Sequence, residues 1–81
     1  QFFNKKGNSF FLKGEYSQAI RLYFKALNLA PNTGVIHYNI ALCFIHLNGK
    51  PKAAKHFKMA KQYANGDKRI LNSTLTIKFL D

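Results

Sequence analysis

Shifted by 34 residues, this chain lies over itself. Gly7 falls on Ala41, Phe10 on Phe44, Ala19 on Ala53, Tyr23 on Phe57, Ala26 on Ala60 and Ala30 on Ala64. Small residues meet small residues and rings meet rings, in order and without an insertion. A fixed period of this length means stacked copies of one supersecondary unit, because a single copy cannot bury its own apolar face. Chance supplies one or two such matches, not the ordered set.

The matched positions suit a helical hairpin. Ala19 and Ala26 are seven apart, two helical turns along one face, with Tyr23 between them on the same stripe. Ala53, Phe57 and Ala60 repeat the pattern. Small residues flanking one ring give a close contact with a plug at its centre. Gly7 or Ala41 lets the second helix of a pair approach, and Phe10 or Phe44 fills the space between the two.

Turn signals divide the chain in the same places. Helix one covers about 1–13 and stops at Gly14. Helix two runs from Tyr16 to Ala30, closed by Pro31-Asn32. Asn32 or Thr33 caps helix three, which runs to Leu47 before an Asn48-Gly49 turn. Pro51 sits in the first turn of helix four, where its missing N–H costs nothing. Helix four reaches Ala64, Asn65-Gly66 closes it, and Asp67 caps the next helix.

These residues resemble the tetratricopeptide repeat family. Phe3 stands where the family prefers Trp, followed by Gly7, Phe10, Gly14, Tyr16, Ala19, Tyr23, Ala26 and Pro31. The stretch Gly14-Glu15-Tyr16-Ser17-Gln18-Ala19-Ile20 is especially typical. The second copy departs further: His37 takes the Trp place, Lys50 replaces the second-helix Tyr and Asn65 the closing Pro. The resemblance covers residues 1 to about 66. It implies an all-α fold, a right-handed α-solenoid of two antiparallel helix hairpins with a fifth, capping helix. Repeat one is then 1–33, repeat two 34–66 and the capping helix 67–81, in one domain.

The last segment reads two ways. Leu75, Ile77 and Phe79 alternate with Thr76 and Lys78, as in a strand. Ile70, Thr74 and Ile77 share a helix face. A two-repeat array leaves an apolar end that a helix covers and an isolated strand does not, so the expectation is a helix. A third full repeat is not expected, because Leu75 occupies a position that is small in the other two.

In the family, the first helix of each pair lines a concave groove. By register, repeat one contributes Asn4, Asn8, Phe11 and Leu12, and repeat two contributes Tyr38, Asn39, Leu42, Ile45 and His46. Arg69 and Asn72 come next on the last helix. Asparagines are poor helix formers, and here amides on one face can donate and accept towards a peptide backbone. Some family members grip a C-terminal carboxylate with two asparagines and several basic residues. Asn8 and Asn39 match the asparagines and Arg69 one basic position. Asn4 stands where a lysine is expected and Ser73 where an arginine is expected, so the implied grip is weak.

The chain of 81 residues carries 13 Lys and Arg against 3 Asp and Glu, a formal net charge of +10. That balance draws anionic partners. Lys52, Lys55, Lys58 and Lys61 spread over the side of helix four opposite Ala53, Phe57 and Ala60, so the charge sorts onto the outer face. No RNA-binding aromatic motif, zinc spacing or glycine-rich phosphate loop is present, and a basic surface for nucleic acid or anionic membrane is the lesser reading. The favoured partner is a protein or peptide, with an acidic one suited to the charge. Self-assembly through the exposed ends and the apolar tail Leu75 to Leu80 is an alternative.

The three acids, Glu15, Asp67 and Asp81, fall at turns, a cap and the terminus. His37, His46 and His56 show no ligand spacing. The expectation is therefore a binding module rather than an enzyme, without metal or cofactor. Cys43, the one cysteine, lies in the apolar run Ile40 to Ile45 and reads as a buried inert thiol. It fits cytoplasm or periplasm, the former favoured. No run of about 18 apolar residues is long enough to span a membrane. Beginning at Gln1 without methionine or leader, the chain reads as a fragment of a longer protein.

Overall fold

The computed structural model describes residues 1–80, with side chains through Lys78. Among the described residues the chain forms helices and no strand: α1 (Phe2–Leu12), α2 (Tyr16–Leu29), α3 (Gly34–His46), α4 (Lys50–Gln62), α5 (Lys68–Leu71) and α6 (Thr74–Leu80). α1 packs on α2 and α3 on α4 as two hairpins, α2 stacks on α3, and α6 packs on α4.

The 34-residue period is visible in the backbone of the turns. Gly14 takes φ +78°, its N–H bonds Phe11 O at 3.0 Å, and the Glu15 N–H bonds Phe10 O at 2.9 Å. This paired closure satisfies carbonyls left open at a helix end and requires a left-handed residue. One period on, Asn48 takes φ 60°, its N–H bonds Ile45 O at 3.2 Å, and the Gly49 N–H bonds Phe44 O at 2.7 Å. Both hairpins thus turn by the same motif. Helix starts are less uniform. Asp67 caps α5 through its side chain, whereas Thr33 precedes α3 without a side-chain cap bond.

The small–ring–small stripes are the core. Ala19, Tyr23 and Ala26 of α2, and Ala53, Phe57 and Ala60 of α4, are all 1% exposed or less. The α2 stripe joins Leu27 to Ile36, Ile40 and Cys43 of α3, so the two repeats share one cluster. Ala53 and Phe57 close on Ala41 within repeat two. Gly7 lies flat against Tyr23, close enough that a Cβ there would meet the ring at 2.6 Å.

The C-terminal segment is helical but broken, where one capping helix over 67–81 was expected. α5 is a single turn ending at Asn72, and α6 starts after Ser73. Ser73 caps α6: its Oγ accepts from the Thr76 N–H at 3.4 Å and its carbonyl from the Ile77 N–H at 3.0 Å. Asparagine and serine favour such ends over helix interiors. The Tyr38 hydroxyl holds Ser73 Oγ at 2.8 Å, which pins the break against α3. Leu75 lies on the Ala41, Ala53 and Phe57 cluster, so α6 still covers the apolar end. Asp81 lies outside the described residues.

Candidate functional site

Asn8, Phe11 and Leu12 of α1, Tyr23 of α2, and Asn39 and Leu42 of α3 line an open pocket of ≈ 260 Å³. Helical spacing puts Asn8 and Leu12 one turn apart on α1, and Asn39 and Leu42 likewise on α3. Stacking the hairpins brings these two edges together over Tyr23. Leu12 is 85% exposed at the rim, an apolar side chain without cover.

The polar floor is one network. The Tyr23 hydroxyl donates to Asn8 Oδ1 at 2.6 Å. Asn39 Nδ2 donates to Asn4 Oδ1 at 3.3 Å and to Asn8 Oδ1 at 3.4 Å. Burial raises the Tyr23 pKa, with the nearby Cys43 a smaller cause, so the hydroxyl stays a donor. With the oxygens of Asn4 and Asn8 engaged, their Nδ2 groups remain as donors and Asn39 Oδ1 as an acceptor. Donors beside apolar walls suit a carbonyl or carboxylate oxygen flanked by an apolar side chain.

The expected groove residues separate in the structure. Asn8, Phe11, Leu12, Asn39 and Leu42 line the pocket, and Asn4 is tied to it through Asn39. Tyr38 turns towards the α4 side, edge-on to Phe57 at 5.7 Å and bonded to Ser73. Ile45 packs against the Ala41, Ala53 and Phe57 cluster. His46 stacks face to face on Tyr16 at 4.2 Å, with Phe11 edge-on at 5.8 Å. Asn72 ends α5 and is exposed. Arg69 is held by Asp67, with Nη2 2.7 Å from Oδ2 and Nε 3.1 Å from Oδ1. The hydrogen bonds from Arg69 hold the Asp67 carboxyl below its usual range, and the Arg69 pKa is raised in turn. The basic residue matched to the carboxylate grip therefore already has its counter-charge.

Two features escaped the sequence reading. Tyr23 was expected only as a core plug, yet it also lines the pocket. Its register-mate is Phe57, and the extra hydroxyl was the signal, since a buried tyrosine O–H needs a partner. The second is a histidine pair. His37 Nδ1 and His56 Nδ1 lie 3.1 Å apart inside repeat two, a contact the lack of ligand spacing did not announce. They are 19 residues apart on different helices, so no periodicity links them.

Among the described residues, no group of three His, Cys, Asp or Glu is placed to hold a metal ion. Cys43 is fully buried and its thiol is pushed up to about 12 by that burial. None of the described helices is long and apolar enough to cross a membrane. Residues 7–45 match the family model described as TPR repeat, and the helical hairpins are consistent with it. No curated protein matches the chain.

Proposed function

We propose, on the premise that residues 7–45 carry a tetratricopeptide repeat, that this chain is a protein- or peptide-binding module in which α1 and α3 hold an extended partner segment. It acts as scaffold or adaptor rather than catalyst. The observation that carries the reading is the amide network beside an apolar pocket. Asn39 bridges to Asn4 and Asn8 across the repeat boundary, leaving donors next to Phe11, Leu12 and Leu42. An extended segment can place a backbone carbonyl on the amides and an apolar side chain in the pocket. Recognition of this kind holds the main chain and reads sequence only through the pocket.

The test is selection from a random peptide library, followed by titration calorimetry of the selected peptides. Asn8→Ala removes a donor, and Asn39→Ala an acceptor, that the bound segment uses. Each change weakens binding by about 1–2 kcal/mol, roughly five- to thirty-fold in Kd. Selected peptides that bind the Asn8→Ala/Asn39→Ala double variant as tightly as the native chain refute the groove.

A further inference from the structure

Helix α4 holds five lysines, Lys50, Lys52, Lys55, Lys58 and Lys61, and no acidic residue. All five are exposed. Lys50 and Lys52 stand in the first turn, where the helix dipole opposes positive charge. Lys52, Lys55, Lys58 and Lys61 then recur at intervals of three, a spacing at which like charges on a helix repel. The helix works against itself electrostatically.

Among the described residues no acidic side chain compensates for this. Of the three acids, Asp67 is taken by Arg69 and Glu15 stands at the start of α2, in the other repeat. Among the described residues none of the five lysines has an ion pair, and Lys52 alone has a ring contact, to Phe44 at 5.6 Å. Solubility does not require it: a net charge of magnitude about 2–8 is enough for a small domain, and this chain carries +10.

The shape of the row selects the partner. Each step of three residues rises about 4.5 Å and turns back about 60°, so the last four lysines wind round about half the helix. A flat bilayer meets only part of that arc. A flexible chain can track it obliquely. Single-stranded nucleic acid would also need exposed rings for its bases to stack on. The ring side chains within α4 are His56 and Phe57, and both are buried. We propose that the outer face of α4 is a docking surface for an acidic, unstructured polypeptide segment, separate from the groove between α1 and α3.

Fluorescence anisotropy of a labelled oligoglutamate peptide on the full chain, over a salt series, is the direct assay. The variant Lys52→Gln/Lys55→Gln/Lys58→Gln/Lys61→Gln is compared with Lys5→Gln/Lys6→Gln/Lys13→Gln/Lys25→Gln, which removes the same charge elsewhere. The native chain binds, and more weakly as salt rises. The α4 variant loses about tenfold or more and melts at a higher temperature, because self-repulsion is relieved. The charge-matched control and the Asn8→Ala/Asn39→Ala variant keep most of the binding. Equal loss in the charge-matched control overturns the surface, and a lower melting temperature of the α4 variant overturns the self-repulsion behind it. Stronger binding of a charge-matched single-stranded oligonucleotide, or of phosphatidylserine vesicles, overturns the choice of partner. Loss of groove binding with oligoglutamate binding intact leaves this surface standing, so the two readings fail separately.

Discussion

Acidification should destabilise this fold well before its carboxylates titrate, and the His37–His56 pair sets the size of the effect. His37 Nε2 lies 3.1 Å from the Pro31 carbonyl oxygen, which can only accept, so this nitrogen carries the proton. Neutral His37 then offers Nδ1 as acceptor, and His56 Nδ1–H donates to it across 3.1 Å. The rings are 2% and 7% exposed, with Phe24, Phe44 and Tyr63 around them. Burial lowers the pKa of His37 and takes that of His56 from 6.5 to about 4, with His37 and then Lys55 as lesser causes. The unfolded chain therefore binds more protons than the folded one. Stability is full above the unfolded value of 6.5 and is lost as pH falls towards the folded value. For His56 alone, about 2.5 pH units at about 1.4 kcal/mol each gives roughly 3 kcal/mol by about pH 4. His37 adds in the same direction. A chain of this size has roughly 4–12 kcal/mol in total, so the loss is a large share. Asp67 does not confuse the window, because its carboxyl titrates below its usual 3.8. Urea unfolding monitored by circular dichroism, from about pH 7.5 to about pH 4.5, measures the effect. His56→Phe removes one titrating ring and should flatten much of the profile. An unfolding free energy that stays level across this range in the native chain would refute the reasoning.

Gly34→Ala should cost about 2–3 kcal/mol, because a Cβ there would sit 2.7 Å from Tyr63 O and 2.8 Å from Ala60 O. These are backbone atoms that cannot turn aside, and a near-native melting temperature would contradict the close approach of α3 to the end of α4. Tyr23→Phe keeps the plug but leaves Asn8 Oδ1 without its 2.6 Å donor, so it should lose about 1 kcal/mol in urea unfolding. An unchanged midpoint would mean that the bond contributes nothing. Cys43, fully buried with its thiol pushed up to about 12, should resist a disulfide reagent in the folded chain and react fully in denaturant. Fast native labelling counted by absorbance would contradict that burial.

The period, the stripes and the turns were legible in the sequence because each depends on short-range geometry. A helix places residues three, four and seven apart on one face whatever surrounds it. Thus Ala19, Tyr23 and Ala26 mark a core stripe, and Gly14 and Asn48-Gly49 mark their turns, by local spacing alone. The capping segment was less legible because its local preferences nearly balance. Asn72 and Ser73 suit a helix end as well as a loop, and the bond from Tyr38 to Ser73, 35 residues away, accompanies the break. The candidate site was legible only in part: register named Asn8, Phe11, Leu12, Asn39 and Leu42 but not Tyr23, and gave no arrangement. Register named Asn4, Asn8 and Asn39 as groove residues. Only the packing of helix on helix, within and between the hairpins, decided that Asn39 would join the other two, that Tyr23 would anchor Asn8, and that His46 would lie on Tyr16 instead. The same packing brought His37 to His56. Such contacts depend on how far one helix slides and turns against its neighbour. That offset is set by the fit of all the interlocking side chains at once, and no single stretch of sequence contains it.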